Sequence, residues 1–187
     1  MSTGNREKQR VAVYCGSSVG NDPRFLAEAR ALGAEIARVG LGLVYGGTSI
    51  GLMGSLADAA LAGGAEVIGV LPRFLGEREL AHPRLTRLEL VTNLHERKAR
   101  MAELSEAFLA LPGAYGTLDE MIEAVTWAQL RLHSKPCILV NTAGYWDGFA
   151  AFLDSMVGAG FLRPENRALL QVAGGAAEAI RMVVGPC

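Results

Sequence analysis

The feature that most constrains this chain is an alternation. Short, near-continuous apolar runs begin at Arg10 ("RVAVYC"), Leu41 ("LGLVYGG"), Glu66 ("EVIGVLP"), Arg87 ("RLELV"), Ala107 ("AFLALPG") and Pro136 ("PCILVN"). Between them lie stretches of helical period, at about Pro23 to Val39, Gly51 to Ala62, Asn93 to Ser105, Thr117 to Leu132, Trp146 to Val157 and Ala176 to Val183. A strand with one wet face alternates apolar and polar residues, whereas an unbroken apolar run suits a parallel sheet covered by helices on both faces. The expected class is therefore α/β, a Rossmann-like open parallel sheet flanked by helices, with ligands at the carboxyl ends of the strands.

At 187 residues the chain suits one domain over 1–187, with residues 1–9 expected to be flexible. The glycines near Gly158, Gly160 and Gly174 suggest a looser carboxyl end. Half the residues are hydrophobic and the net charge is -1, which argues against disorder and against electrostatic binding to nucleic acid. That apolar content on a small chain also hints at a subunit interface. No apolar run approaches the ~20 residues that span a bilayer, and the polar start "MSTGNREKQR" lacks a signal core. Cys15, Cys137 and Cys187 are odd in number and far apart, which suits reduced thiols in the cytoplasm.

Four segments at strand ends carry unusual chemistry: "CGSS" at 15–18, "GGTSIGLMG" at 46–54, "LPRFLGERELAHP" at 71–83 and "LPGAYGTLDEM" at 111–121. None holds G-x-G-x-x-G, and the second lacks the lysine of a P-loop. Two readings of the glycine loops stand: exposed amides at a helix start that hold a phosphate, or glycines that only permit tight turns and close packing. In "NLHERKARMAEL", Asn93 can cap a helix whose apolar stripe is Leu94, Met101 and Leu104. Arg97 and Lys98 flank that stripe, either to reach a ligand or to lay their stems along the core edge. "HERKA" is not the zinc motif H-E-x-x-H, and the histidines lack ligand-spaced partners, so no metal is expected. In the last segment Thr117 and Glu120 have capping-box spacing, with Asp119 in the same first turn. Alternatively Pro112, Gly113 and Gly116 open amides to an anion, and Glu120 faces the ligand.

Taken together, "GGTSIGLMG", the Arg97-Lys98 pair and "PGAYGTLDE" resemble the LONELY GUY family of cytokinin-activating phosphoribohydrolases, whose motifs are close to GGGxxGLMG and PGGxGTxxE. The likeness runs from about Val11 to Val157. It implies a Rossmann-like fold, a homodimer with sites near the interface, and hydrolysis of the N-glycosidic bond of nucleoside 5'-monophosphates, AMP included, without metal or organic cofactor. Carried onto this sequence, it implies Arg97 and Glu120 as the catalytic pair. Substrate contacts are implied from Glu79, Lys98, Gly113, Ala114, Tyr115, Gly116, Thr117, Leu118, Asp119 and Thr126, with Gly46, Gly47 and Thr48 as the first glycine loop.

Relatives often carry the label lysine decarboxylase, but no lysine context here marks a pyridoxal phosphate site. Two departures stand out: Ala114 replaces a motif glycine, and Thr48 stands where many members have a third glycine. If position 114 required positive φ, alanine would cost about 1 kcal/mol or more. The competing reading is a non-catalytic carrier or sensor of a phosphorylated cofactor of the molybdenum-cofactor type. Retention of both Arg97 and Glu120 favours hydrolysis.

Overall fold

The apolar runs become strands, and all but the edge run at Arg87 do so with alternate residues entering two different cores. A computed structural model describes residues 9–76 and 81–185; residues 1–8, Glu79 within 77–80, and Cys187 lie outside the described residues. The chain runs β1 (Arg10–Tyr14), α1 (Pro23–Arg38), β2 (Gly42–Tyr45), α2 (Gly51–Ala62), β3 (Val67–Pro72), α3 (Arg73–Gly76), β4 (Arg87–Val91) and α4 (Leu94–Glu103). It continues through β5 (Ala107–Ala110), α5 (Tyr115–Gln129), β6 (Cys137–Val140), α6 (Asp147–Gly158), α7 (Pro164–Arg167), β7 (Leu170–Ala173) and α8 (Ala176–Val184). In β1, Val11 and Val13 join a core with Leu32 and Ile36 of α1, Leu56 of α2 and Ile180 of α8. Ala12 and Tyr14 point the other way, into a core with Met101 of α4, Met121 of α5 and Leu153 of α6. Burial on both faces is the physical reason for the unbroken apolar pattern.

All strand pairs are parallel, in the order β4-β3-β2-β1-β5-β6-β7. Successive connections from β1 step one way along the sheet as far as β4, then the chain returns to β5 on the other side of β1. The turns leaving β1 and β5 therefore diverge and leave a crevice, the usual place for a ligand in such sheets. One side of that crevice is braced by the close approach of α1 and α2. A Cβ on Gly33 would meet the Leu56 carbonyl oxygen at 2.4 Å, so the two helices close only over a hydrogen atom.

The carboxyl end differs from the sequence reading. Its described residues are tied into the fold: β7 pairs with β6 in register, and Glu28 of α1 accepts a hydrogen bond from the Ala176 amide at the start of α8. β7 escaped notice because it is an edge strand with only its two end residues buried, so it carries no apolar run. Also, α5 begins at Tyr115, two residues before the expected start at Thr117. That shift decides the role of Glu120.

Candidate functional site

A cavity of about 380 Å³ opens at the crevice between β1 and β5. Its floor and walls come from the Gly16 turn after β1, the Pro112–Ala114 loop after β5, the start of α2, and Tyr145 beyond β6. Two backbone bonds fasten these pieces: the Gly16 amide donates to the Pro112 carbonyl at 3.0 Å, and the Leu52 amide donates to the Gly16 carbonyl at 3.2 Å.

Arg97 and Glu120 meet at the wall. Arg97 leaves α4, donates through Nε to the Val70 carbonyl at the end of β3 (3.0 Å), and places Nη1 3.0 Å from Glu120 Oε1. The guanidinium fits because Gly46 has no side chain: a Cβ there would lie 2.3 Å from Arg97 Nη2. The glycine loop thus chiefly makes room. Gly47, at φ 83°, and Gly51, at φ 62°, take backbone conformations that disfavour side chains. A Cβ on Gly51 would also meet the Ser17 carbonyl carbon at 2.3 Å.

The capping-box reading of Thr117 and Glu120 is overturned. Ala114 holds the cap position of α5 without a side-chain hydrogen bond, Thr117 is already the third helical residue, and the Glu120 carboxylate pairs across the site with Arg97. Ala114 has φ -101°, so the condition under which alanine would be strained here, a positive φ, is not met. The demanding glycine is its neighbour, since a Cβ on Gly113 would fall 2.0 Å from Thr117 Oγ1.

Three helices start near the cavity, and they differ in what meets their first amides. Asp22 caps α1, its carboxylate accepting from the Arg24 amide at 2.9 Å. At α2 the Leu52 amide is taken by Gly16. The first turn of α5 has no capping side chain, and Gly116 and Thr117 face the cavity. A helix start of this kind attracts anions through its amides and its dipole.

Of the residues expected at the site, the cavity unites Arg97, Glu120, Gly113, Ala114, Gly116 and Thr117. Gly46, Gly47 and Thr48 are buried behind the wall; Gly47 accepts from the His82 amide, and the Thr48 carbonyl accepts from the Tyr45 hydroxyl. Lys98 does not line it either. Its Nζ lies 2.9 Å from Asp119 and 3.2 Å from Glu123, so it ties α4 to α5. Leu118 packs beneath α5, Tyr115 is 90 % exposed, and the Thr126 hydroxyl donates to the Ile122 carbonyl on the same helix. The sequence reading missed Met53, Phe25 and Tyr145 as lining residues, and it quoted Ser17 and Ser18 without assigning them. Among the described residues no cluster of potential metal ligands occurs, and no helix is long and apolar enough to cross a membrane. His82 and His133 are held by Asp58 and the Ala124 carbonyl.

Electrostatics single out Glu120. Burial pushes its carboxyl above the usual carboxylate range; Arg97 pulls against that shift, Asp119 adds to it, Lys98 pulls it down, and burial prevails. Burial, reinforced by the Glu120 charge, likewise raises the Tyr14 phenol and the Cys15 thiol, which stay neutral beside it. Lys98 loses some basicity to burial, but its bonds with Asp119 and Glu123 outweigh this and leave it raised and charged.

Comparison with known proteins places these residues in context. The family model described as "Possible lysine decarboxylase" matches residues 53–183. A cytokinin riboside 5'-monophosphate phosphoribohydrolase of Arabidopsis thaliana is 44% identical over 173 residues, covering 92% of this chain and 81% of the relative. One from Oryza sativa subsp. japonica is 45% identical over 162 residues, covering 87% and 67%. Among solved structures, the molybdenum cofactor carrier protein of Chlamydomonas reinhardtii superposes with a TM-score of 0.72 at 25% identity, covering 95% of this chain and 97% of that one.

Two outcomes follow from the geometry. Gly113→Ala must displace Thr117 and should lower stability by about 1 to 3 kcal/mol, whereas Ala114→Gly should change it by less than about 1 kcal/mol; paired denaturant melts check both. The second concerns pH. A carboxyl whose folded pKa is raised stabilises the fold fully below its unfolded value of about 4.3, and that contribution is lost as pH rises through the raised folded value. Glu120→Gln removes this dependence, so its melting temperature relative to wild type should climb between pH 4 and pH 7. A constant difference across that range would refute the buried charge.

Proposed function

Since the chain belongs to the LONELY GUY family of phosphoribohydrolases, we propose that it hydrolyses the N-glycosidic bond of nucleoside 5'-monophosphates, AMP and its prenylated forms included, to free base and ribose 5-phosphate. The observation that carries this reading is the Arg97-Glu120 pair, 3.0 Å apart with side chains only 13% and 9% exposed, on the same cavity wall as the uncapped start of α5. The amides of Gly116 and Thr117 suit the phosphate, and Ser17 and Ser18 face the same space. The ribose then lies against Glu120.

Breaking the bond between C1' and the base nitrogen builds positive charge on the sugar, as in glycoside hydrolysis. The Glu120 carboxylate beside that carbon stabilises the charge or orients the attacking water. Water gives its hydroxyl to C1', and its proton leaves with the base. Arg97 supplies a permanent, planar charge to hold ribose or phosphate oxygens and favours the ionised form of Glu120 against its burial. Among the described residues no lysine lines the cavity, so the decarboxylase description of the family model finds no support there.

A carrier of the molybdenum-cofactor type is the weaker reading. The 25% identity to that structural neighbour is well below the 42% to 47% shared with phosphoribohydrolases, known or probable, of Arabidopsis thaliana and Oryza sativa subsp. japonica. A carrier also has no use for a buried carboxylate beside its anion.

The same proposal includes a homodimer in the cytoplasm. Tyr115, Asp119, Ile122 and Thr126 share one face of α5, next to Lys98 and the exposed Leu94 of α4. Residues that the family likeness assigns to substrate, Lys98, Tyr115 and Thr126, thus lie outside the cavity of their own chain. A second copy packed along this face would bring them to the edge of its site.

The test is release of base from AMP by purified protein. Glu120→Gln and Arg97→Ala should each lower turnover by at least about 10² to 10³ while keeping the fold, and adenosine should be far poorer than AMP. Base release at wild-type rate by Glu120→Gln, or equal rates on AMP and adenosine, would remove the assignment.

A further inference from the structure

Tyr145 has more attached to it than a surface tyrosine needs. Its ring is half-exposed, so core packing does not require it, and any hydroxyl there could be hydrated instead. Instead the hydroxyl donates to the Gly113 carbonyl at 2.6 Å, joining the loop after β6 to the loop after β5. The hydrogen-bond ladder of α5 starts one residue later, where the Ala114 carbonyl accepts from the Leu118 amide. Gly113 therefore sits just ahead of the helix, held by Tyr145 on its carbonyl side and pressed against Thr117 and Gly16 by its lack of a Cβ.

The turn that presents Tyr145 is strained and fixed. Ala143 adopts φ 57°, a left-handed conformation that costs a non-glycine residue about 1 kcal/mol, and Gly144 follows at φ 74°. Asn141 holds this geometry from both ends of its amide: Oδ1 accepts from the Trp146 amide at 2.7 Å, and Nδ2 donates to Asp147 at 2.7 Å. Edge-on contacts with Phe25 (5.6 Å) and Trp146 (4.9 Å) set the ring. Strain maintained by such a frame is characteristic of functional positions, where geometry is worth more than local comfort.

We propose that Tyr145 is a positioning residue for phosphate binding: its phenol latches the Gly113 carbonyl and so holds the Pro112–Ala114 loop in the conformation that turns the Gly116 and Thr117 amides into the cavity. The latch acts on the anion end of the site and leaves the Arg97-Glu120 pair alone, because that pair is fixed from β3 and from the second turn of α5. The inference rests on the phosphoribohydrolase reading for the location of the phosphate.

Tyr145→Phe keeps the ring contacts and deletes the latch. Calorimetric titration of the full chain with ribose 5-phosphate should show a dissociation constant raised about 3- to 10-fold, the effect of one neutral hydrogen bond. With AMP, KM should rise by a similar factor while kcat stays within about two-fold, the signature of lost uniform binding, and the melting temperature should hold. Equal affinity for ribose 5-phosphate in both proteins overturns the latch, as does a loss that falls on kcat or tracks a drop in melting temperature. If wild type hydrolyses AMP and binds ribose 5-phosphate while the variant matches it, the latch alone falls. If wild type does neither, the functional reading falls and takes the latch with it.

Discussion

The ion pair between Arg97 and Glu120 is the contact around which the rest is arranged. Burying two charges costs several kcal/mol per ion, and only good geometry with further hydrogen bonds offsets it. Here the offset comes from the Val70 carbonyl on Nε and from the pairing itself, yet Glu120 still sits above its ordinary range, so burial outweighs the rescue. A chain selected for stability alone would replace the pair with apolar residues. Its presence on a cavity wall, beside a helix start that no side chain caps, directs attention to chemistry.

Much of the architecture was legible because it follows from burial. Five of the strands sit in near-continuous apolar runs, and such runs admit few alternatives to a parallel sheet between helical layers, while β4, at the sheet edge, is buried only at Val91. β7 was not legible, since an edge strand of four residues with two exposed carries no comparable signal. The placement of Arg97 was half legible. Its position beside the apolar stripe of α4 left open a solvated head, and the vacancy at Gly46 that receives it belongs to a loop 51 residues earlier.

Local grammar misled at Glu120. Thr117 and Glu120 have the spacing of a reciprocal cap, but such spacing says nothing of a partner 23 residues upstream, and a helix that begins two residues early converts the cap into an inward-facing carboxylate. Ala114 misled in the opposite sense. A motif glycine suggested left-handed backbone, yet φ is ordinary there and the steric demand falls on Gly113. Tyr145 lay beyond sequence reasoning altogether, because only the sheet order brings the turn after β6 beside the loop after β5.

The fit between Gly46 and the Arg97 guanidinium has a consequence for Glu120. With 2.3 Å between a would-be Cβ and Nη2, and 2.8 Å to Met53 Sδ, any side chain at 46 would push both the guanidinium and the thioether from their places. The two positions form a single steric unit, one residue of it chemically silent. A change at the silent glycine would therefore reach Glu120 indirectly, by moving the arginine that pairs with it.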